Sequence, residues 1–262
     1  MIEVVIFDWA GTTVDYGSLA PVEAFRAAFN TKKIYPSDSQ IRQFMGMSKS
    51  DHIWKMLELP EIVQQFEEEY QHLPTEADHD ELYDLFESAL MAHLVKKTEL
   101  KPYLLDAIDY LQQQDIKIAT TTGYTPKMME AVATGAAKLG YRPEMILTSA
   151  DVENHGRPYP DMINKILTEF AISAPENAIN IGDTIVDIEE GKNAKVKTIG
   201  IVEGSSLMGM TESEYQALSE EARIEACELV RQQFINAGAD FIINNLSELP
   251  EVIKSLNQLK EM

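Results

Sequence analysis

Short apolar runs rich in β-branched residues alternate along this chain with longer stretches in which apolar positions recur every three or four residues. The runs occupy residues 4–7, 116–121, 145–148, 178–181, 196–201 and 241–243, and their length and composition predict strands. They are nearly continuous in apolar character, the pattern of strands covered by helices on both faces. Such alternation predicts an α/β protein with a Rossmann-like, mostly parallel sheet. Ligands in such sheets bind beyond the carboxyl ends of the strands, so the chemistry is to be sought there.

One interval breaks the rhythm. Residues 16–97 contain no strand candidate and read as helical throughout, too long a stretch for a single crossover. Capping-box patterns at Ser37-Asp38-Ser39-Gln40 and Ser48-Lys49-Ser50-Asp51 mark helix starts, and Pro60 and Pro74 mark stops. The expected organisation is a catalytic core of residues 1–16 and 98–262 with an inserted all-helical cap of residues 17–97, hinged near 15–17 and 98–102. The acidic run Glu67-Glu68-Glu69 reads as a solvated helix face. Beyond Gly204, another box at Thr211-Glu212-Ser213-Glu214 opens an amphipathic helix expected to run to about Asn236, followed by the last strand and a terminal helix after Ser247.

Composition narrows the function classes. With 45% hydrophobic and 25% charged residues the chain has the make-up of a globular protein, not a disordered one. A single Cys227 excludes a disulfide scaffold and, in a helix-like stretch, is expected to be a buried structural thiol. The net charge of −21 repels polyanions, so neither nucleic acid nor an anionic membrane surface is an expected partner. The sequence holds no run of roughly 18 apolar residues, and it opens on strand-like MIEVVIF where a signal peptide would carry basic residues; cytoplasmic location is the expectation.

The strand ends carry the candidate chemistry. The first run ends in Asp8-Trp9-Ala10-Gly11-Thr12-Thr13-Val14-Asp15, a carboxylate followed by a turn whose amides can face an anion. The second ends in Thr122-Gly123-Tyr124, where a hydroxyl and a closely approaching backbone could meet a phosphoryl oxygen. After the third comes Gly156-Arg157-Pro158, in which Arg157 could clamp an anion. The fourth ends in Asp183-Thr184-Ile185-Val186-Asp187, two acids four apart, with Asp183 suited to a hard cation. Together these groups supply a nucleophile, phosphate ligands and a Mg²⁺ site.

These four motifs, in this order and with a helical segment after the first, resemble the haloacid dehalogenase superfamily. One departure is informative. Phosphatases of that superfamily carry a second Asp two residues after the nucleophile, to protonate a leaving oxygen; this chain has Ala10, which offers only its backbone carbonyl to a metal. In the helical segment, Met45-Gly46-Met47-Ser48-Lys49-Ser50-Asp51-His52 puts Lys49 at a helix start among apolar side chains, where its pKa should fall toward that of a Schiff-base lysine. His52, three residues on, lies on the same helical face as a possible proton shuttle.

Taken together, the strings Asp-Trp-Ala-Gly-Thr-Thr-Val-Asp-Tyr-Gly, Met-Gly-x-x-Lys-x-Asp-His, Thr-Thr-Gly-Tyr-Thr, Gly-Arg-Pro-Tyr-Pro and Leu73-Pro74-Thr75-Glu76-Ala77-Asp78 resemble the phosphonatase branch of that superfamily. The resemblance implies hydrolysis of the carbon–phosphorus bond of phosphonoacetaldehyde to acetaldehyde and phosphate, with Lys49 forming an imine and Asp8 attacking phosphorus. It further implies Mg²⁺ held by Asp8, the Ala10 carbonyl and Asp183, an anion clamp of Arg157 and Thr122 with Gly123, a pocket shaped by Tyr124 and Met45, Asp187 as an orienter of the metal site, His52 as acid–base partner, and a homodimer. Two readings compete: a capped phosphatase or phosphomutase acting on a phosphate ester, which the shared core motivates and Ala10 weakens, and a non-catalytic binding module, which Ala10 alone motivates.

Overall fold

In the computed structural model, which describes residues 1–94 and 98–261, every expected run forms a strand. They are β1 (Val4–Phe7), β2 (Lys117–Thr122), β3 (Met145–Thr148), β4 (Ala178–Gly182), β5 (Lys197–Ile201) and β6 (Phe241–Ile243). They pair in the order β3-β2-β1-β4-β5-β6, and every pairing is parallel. Phe7 stands opposite Thr120 on one side and Ile181 on the other, so the ends of β1, β2 and β4 finish side by side. The winding reverses between β1 and β4, which makes their shared carboxyl edge the switch point where such sheets open a crevice.

All four residues of β1 are buried, and they alternate between two cores. Val5 and Phe7 join the large cluster that extends into the helical segment, while Val4 and Ile6 pack with Met162, Ile163 and Ile166 on the other face. The near-continuous apolar runs follow from this two-sided burial.

The helical segment comprises α1 (Leu19–Thr31), α2 (Asp38–Arg42), α3 (Lys49–Leu57), α4 (Pro60–Tyr70) and α5 (Glu76–Leu94), with no strand among its described residues. Its expected end at Lys97 lies outside the described residues. α1 and α5 pack along their lengths, with Phe25 stacked on Phe86 at 4.1 Å between ring centroids. Pro60 both closes the run of α3 and opens α4, at a position where its missing N–H costs nothing. The Ser37 box forms in full, but the Ser48 box is half made: the hydroxyl accepts the Asp51 N–H, while the Asp51 carboxylate returns to that hydroxyl (2.6 Å).

The core continues with α6 (Leu104–Gln113), α7 (Pro126–Lys138), α8 (Asp161–Glu169), α9 (Ile185–Asn193), α10 (Glu212–Ala217), α11 (Glu220–Ala237) and α12 (Leu249–Glu261). The single helix expected after Thr211 is two, because Ser219 acts as a fresh N-cap, accepting the Ala222 N–H (3.2 Å). Cys227, on α11, is half-buried where a buried thiol was expected, since that helix lies on the protein surface and its Sγ reaches the Tyr215 hydroxyl (3.4 Å). No helix among the described residues is long and apolar enough to cross a membrane. The two chain crossings between core and helical segment pair with each other: the Asp15 N–H donates to Glu99 (3.2 Å) and the Lys101 N–H to Thr13 (2.8 Å).

Candidate active site

The strand ends bring their carboxylates together. Asp8 follows β1 and Asp183 follows β4, its neighbour, while Asp187 lies in the first turn of α9. Oxygens of these three buried residues lie within 4.8 Å of one another. Burial, joined by repulsion from Asp8 and Asp187, raises the Asp183 carboxyl well above the usual range, and burial raises Asp187 to about 6. Anionic oxygens crowded out of water fit a hard divalent cation of the Mg²⁺ type, which would remove that repulsion.

The three acids are held differently. Asp183 accepts from the Thr12 hydroxyl (3.2 Å) and the Ser206 N–H (2.6 Å). One oxygen of Asp187 closes the β4–α9 turn, taking the Asp183 N–H (3.2 Å), the Thr184 N–H (2.9 Å) and the Thr184 hydroxyl (2.6 Å). Its other oxygen lies 2.7 Å from Arg157. Asp187 therefore organises the turn that presents Asp183.

Arg157, the expected anion clamp, is taken up by protein groups around Asp8. Its side chain is fully enclosed, and each nitrogen has a protein partner: Nε donates to Glu190 (2.9 Å), Nη2 to the carbonyl and hydroxyl of Thr121 (both 2.6 Å), and Nη1 to Asp8 Oδ1 (2.6 Å). Burial alone would lower this guanidinium's pKa, but Asp187, Glu190 and Asp8 together hold it above its ordinary value. Arg157 thus orients Asp8 through one oxygen. Asp8 Oδ2 has no protein partner among the described residues, and Asp8 borders a cavity.

That cavity, with about 20 Å³ of space that water can enter, is lined from the core by Asp8, Ala10, Thr122, Gly123, Tyr124, Asp183 and Thr184, and from the helical segment and its approach by Ser18, Pro21, Met45, Gly46 and Lys49. That is room for little more than one water molecule, so the crevice is tightly closed between the two segments. Thr122 Oγ1 accepts the Tyr124 N–H (3.1 Å), which leaves its own proton for a bound oxygen. Of the residues singled out in the sequence, eight share this cavity, while Arg157 and His52 do not border it.

The roof meets the floor backbone to backbone. A Cβ on Gly123 would lie 2.2 Å from the Met47 carbonyl oxygen, and one on Gly46, whose φ is +95°, would lie 2.5 Å from Thr184 Oγ1. Only glycine allows this approach, and it is what seats the start of α3 over the strand ends.

Lys49, the first residue of α3, is 4% exposed, with its Nζ 5.2 Å from the Tyr124 ring centroid and 5.9 Å from that of Phe25. Burial is the main force that pushes its amine down to about 8, against the pull of Asp8. His52 turns away from the cavity: its Nε2 meets the Ile41 carbonyl (2.8 Å) and its ring packs on Phe25 at 4.0 Å. Its Nδ1 is buried with no partner among the described residues, and burial together with the nearby Lys49 holds its pKa well below the ordinary value, which keeps the ring neutral.

Two supporting residues escaped the sequence. Glu190 sits one turn beyond Asp187 on α9, a spacing that could have suggested a shared face. Lys101 is buried in the second crossing and donates to the carbonyls of Gly11 (2.8 Å) and Glu203 (2.6 Å), a role that no local pattern announces.

Comparison with known proteins agrees with this geometry. Residues 5–201 match the family model of the haloacid dehalogenase-like hydrolases. The chain is 43% identical over 252 residues to the phosphonoacetaldehyde hydrolase of Latilactobacillus sakei, covering 96% of this chain and 95% of that protein. It is 42% identical to that of Parabacteroides distasonis, covering 97% and 96%. Among solved structures it superimposes with a TM-score of 0.95 and 34% identity on a phosphonoacetaldehyde hydrolase-like protein from Oleispira antarctica, covering 98% of this chain and 93% of that one.

Proposed function

The chain belongs to the phosphonoacetaldehyde hydrolases within the haloacid dehalogenase-like hydrolases, and on that premise we propose that it cleaves its substrate through an imine on Lys49 and an aspartyl phosphate on Asp8. The observation that carries this reading is that a cap amine and a core carboxylate face one small cavity. In this reading residues 17–97 act as the cap over a core of 1–16 and 98–262.

Carbon leaves phosphorus poorly unless it can keep the bonding electrons in a stabilised form. The neutral amine of Lys49 adds to the aldehyde carbon and, with uptake of one proton from solvent, expels water to give an iminium. Asp8 Oδ2, the oxygen left free by Arg157, then attacks phosphorus in line while the C–P electrons flow into the iminium to form an enamine. Protonation of the enamine carbon and hydrolysis of the resulting imine release acetaldehyde and regenerate Lys49. Water hydrolyses the aspartyl phosphate.

Each step finds a group suited to it. A Lys49 pKa of about 8 leaves a usable fraction of neutral amine near neutral pH. His52, one turn along α3, is buried on Ile41 and Phe25 with its proton affinity lowered, so in this reading it backs Lys49 as a neutral ring. Thr122 and the Gly123 backbone are suited to the phosphoryl oxygens, and Tyr124 and Met45 to the two-carbon portion. No acid is needed on a leaving oxygen, which accounts for Ala10. Mg²⁺ bound by Asp8, Asp183 and the Ala10 carbonyl would neutralise phosphoryl charge. The homodimer implied by the family resemblance and the cytoplasmic location expected from the sequence belong to the same proposal.

Borohydride reduction in the presence of phosphonoacetaldehyde tests the imine. Peptide mapping should find a reduced adduct on Lys49, and the Lys49→Arg protein, whose guanidinium stays protonated, should show neither adduct nor turnover. An unmodified Lys49 in an enzyme that still turns over would defeat the proposal.

A further inference from the structure

Arg42, the last residue of α2, reaches out of the helical segment. Its Nη1 donates to the carbonyl of Gly17 (3.1 Å) in the first crossing and to the carbonyl of Ser206 (2.9 Å), with the Ser206 hydroxyl at 3.4 Å. The loop after β5 that receives it also receives both crossings: the Gly17 N–H donates to Gly204 (2.8 Å), and Lys101 Nζ donates to Glu203 (2.6 Å). On its inner side the same loop grips the candidate metal site, for the Ser206 N–H donates to Asp183 Oδ2 (2.6 Å). Ser205 and Ser206 are buried, and Gly209 lies so close that a Cβ there would meet Arg42 Nε at 2.8 Å.

A single residue, Ser206, therefore links the Arg42 guanidinium to an Asp183 oxygen. We propose that Arg42 is a positioning residue that couples the seating of the cap to the orientation of Asp183. When the cap is down, Arg42 fixes the Ser206 carbonyl, and with it the register of the loop whose N–H aims Asp183. When the cap lifts, Arg42 leaves, and Asp183 loses a held donor. Such coupling is reciprocal, so a cation on Asp183 favours the seated cap as much as the seated cap favours the cation. The enzyme would thus assemble its roof and its floor together. This inference rests on the proposed function for its metal site.

The test uses the full-length protein with Mg²⁺ alone as probe. In the wild type, Mg²⁺ should slow hydrogen exchange across residues 13–18 and 203–210. In Arg42→Met that response should vanish, and the Mg²⁺ concentration for half-maximal turnover should rise on the order of tenfold with a smaller change in kcat. Arg42→Lys, which keeps a donor at the end of a long side chain, should restore most of both. Should Arg42→Met fail to fold, Arg42→Gln carries the same comparison. A lowered melting temperature with an unchanged exchange response and unchanged Mg²⁺ requirement would make Arg42 a structural prop and overturn the coupling. A wild type that turns over substrate but whose exchange ignores Mg²⁺ would overturn it too, leaving the imine chemistry standing. A wild type with neither turnover nor a Mg²⁺ response would take down both.

Discussion

Arg157 and Lys49 are both buried cations near Asp8, and their surroundings push them in opposite directions. Arg157 lies in the floor among Asp8, Asp187 and Glu190, whose charges outweigh the cost of burial and hold it protonated. Lys49 lies in the roof against the Tyr124 and Phe25 rings, with no ion-pair partner among the described residues, and burial prevails. The same withdrawal from water thus fixes a charge in one place and releases it in the other, depending on whether carboxylates contact the group. In the proposed mechanism the floor holds the Asp8 carboxylate still, and the roof keeps the Lys49 amine reactive.

Three substitutions break this contrast at different points. The largest effect is expected from Asp8→Asn, which removes the proposed nucleophile and should cut turnover by roughly 10⁴-fold or more. The roof is untouched, so borohydride should still trap substrate on Lys49, and loss of trapping would mean that the two halves are not separable. Gly123→Ala strikes the seam: a methyl 2.2 Å from the Met47 carbonyl must lift the start of α3. Displacement of a reacting group by about an ångström can cost on the order of 100-fold, so kcat/KM should fall by that order while the melting temperature changes little. Lys49→Met isolates the cost of burying the amine. The amine titrates near 8 in the folded chain against an ordinary value of 10.5, so the unfolded chain binds more protons between those limits and wild-type stability rises with pH across them. Lys49→Met should accordingly be the more stable protein below pH 8, by about 3 kcal/mol, with the advantage fading as pH rises toward 10.5. Urea unfolding at pH 7 and pH 10 measures it, and equal midpoints at both would show that the buried amine carries no penalty.

The floor was more legible in the sequence than its wiring. Every strand could be read, because burial on both faces leaves an unbroken apolar run, and Asp8, Thr122 and Asp183 could be found because each stands at a strand end that the sheet order brings together. Arg157 was found, but its protein partners were not. Its position after a strand suggests an anion, and only the fold reveals that Asp8, 149 residues away, and Glu190, 33 residues away, already occupy it. Lys101 and Arg42 were invisible for a related reason: both donate to backbone carbonyls, and a carbonyl has no residue type to recognise. His52 shows the limit of helical spacing, which placed it near Lys49 but could not foresee that its ring would turn toward Ile41.

The glycine seam sets a size limit along its own side of the cavity that side-chain exchange cannot easily relax. Where a pocket is walled by side chains, trimming one admits a larger guest. Here Gly123 opposes the Met47 carbonyl and has nothing left to trim, so along that seam room for an extra methylene could come only from shifting the main chain and Lys49 with it. Variants that accept longer phosphonoaldehydes should therefore carry changes at the Met45 or Tyr124 side chains and leave Gly123 as it is.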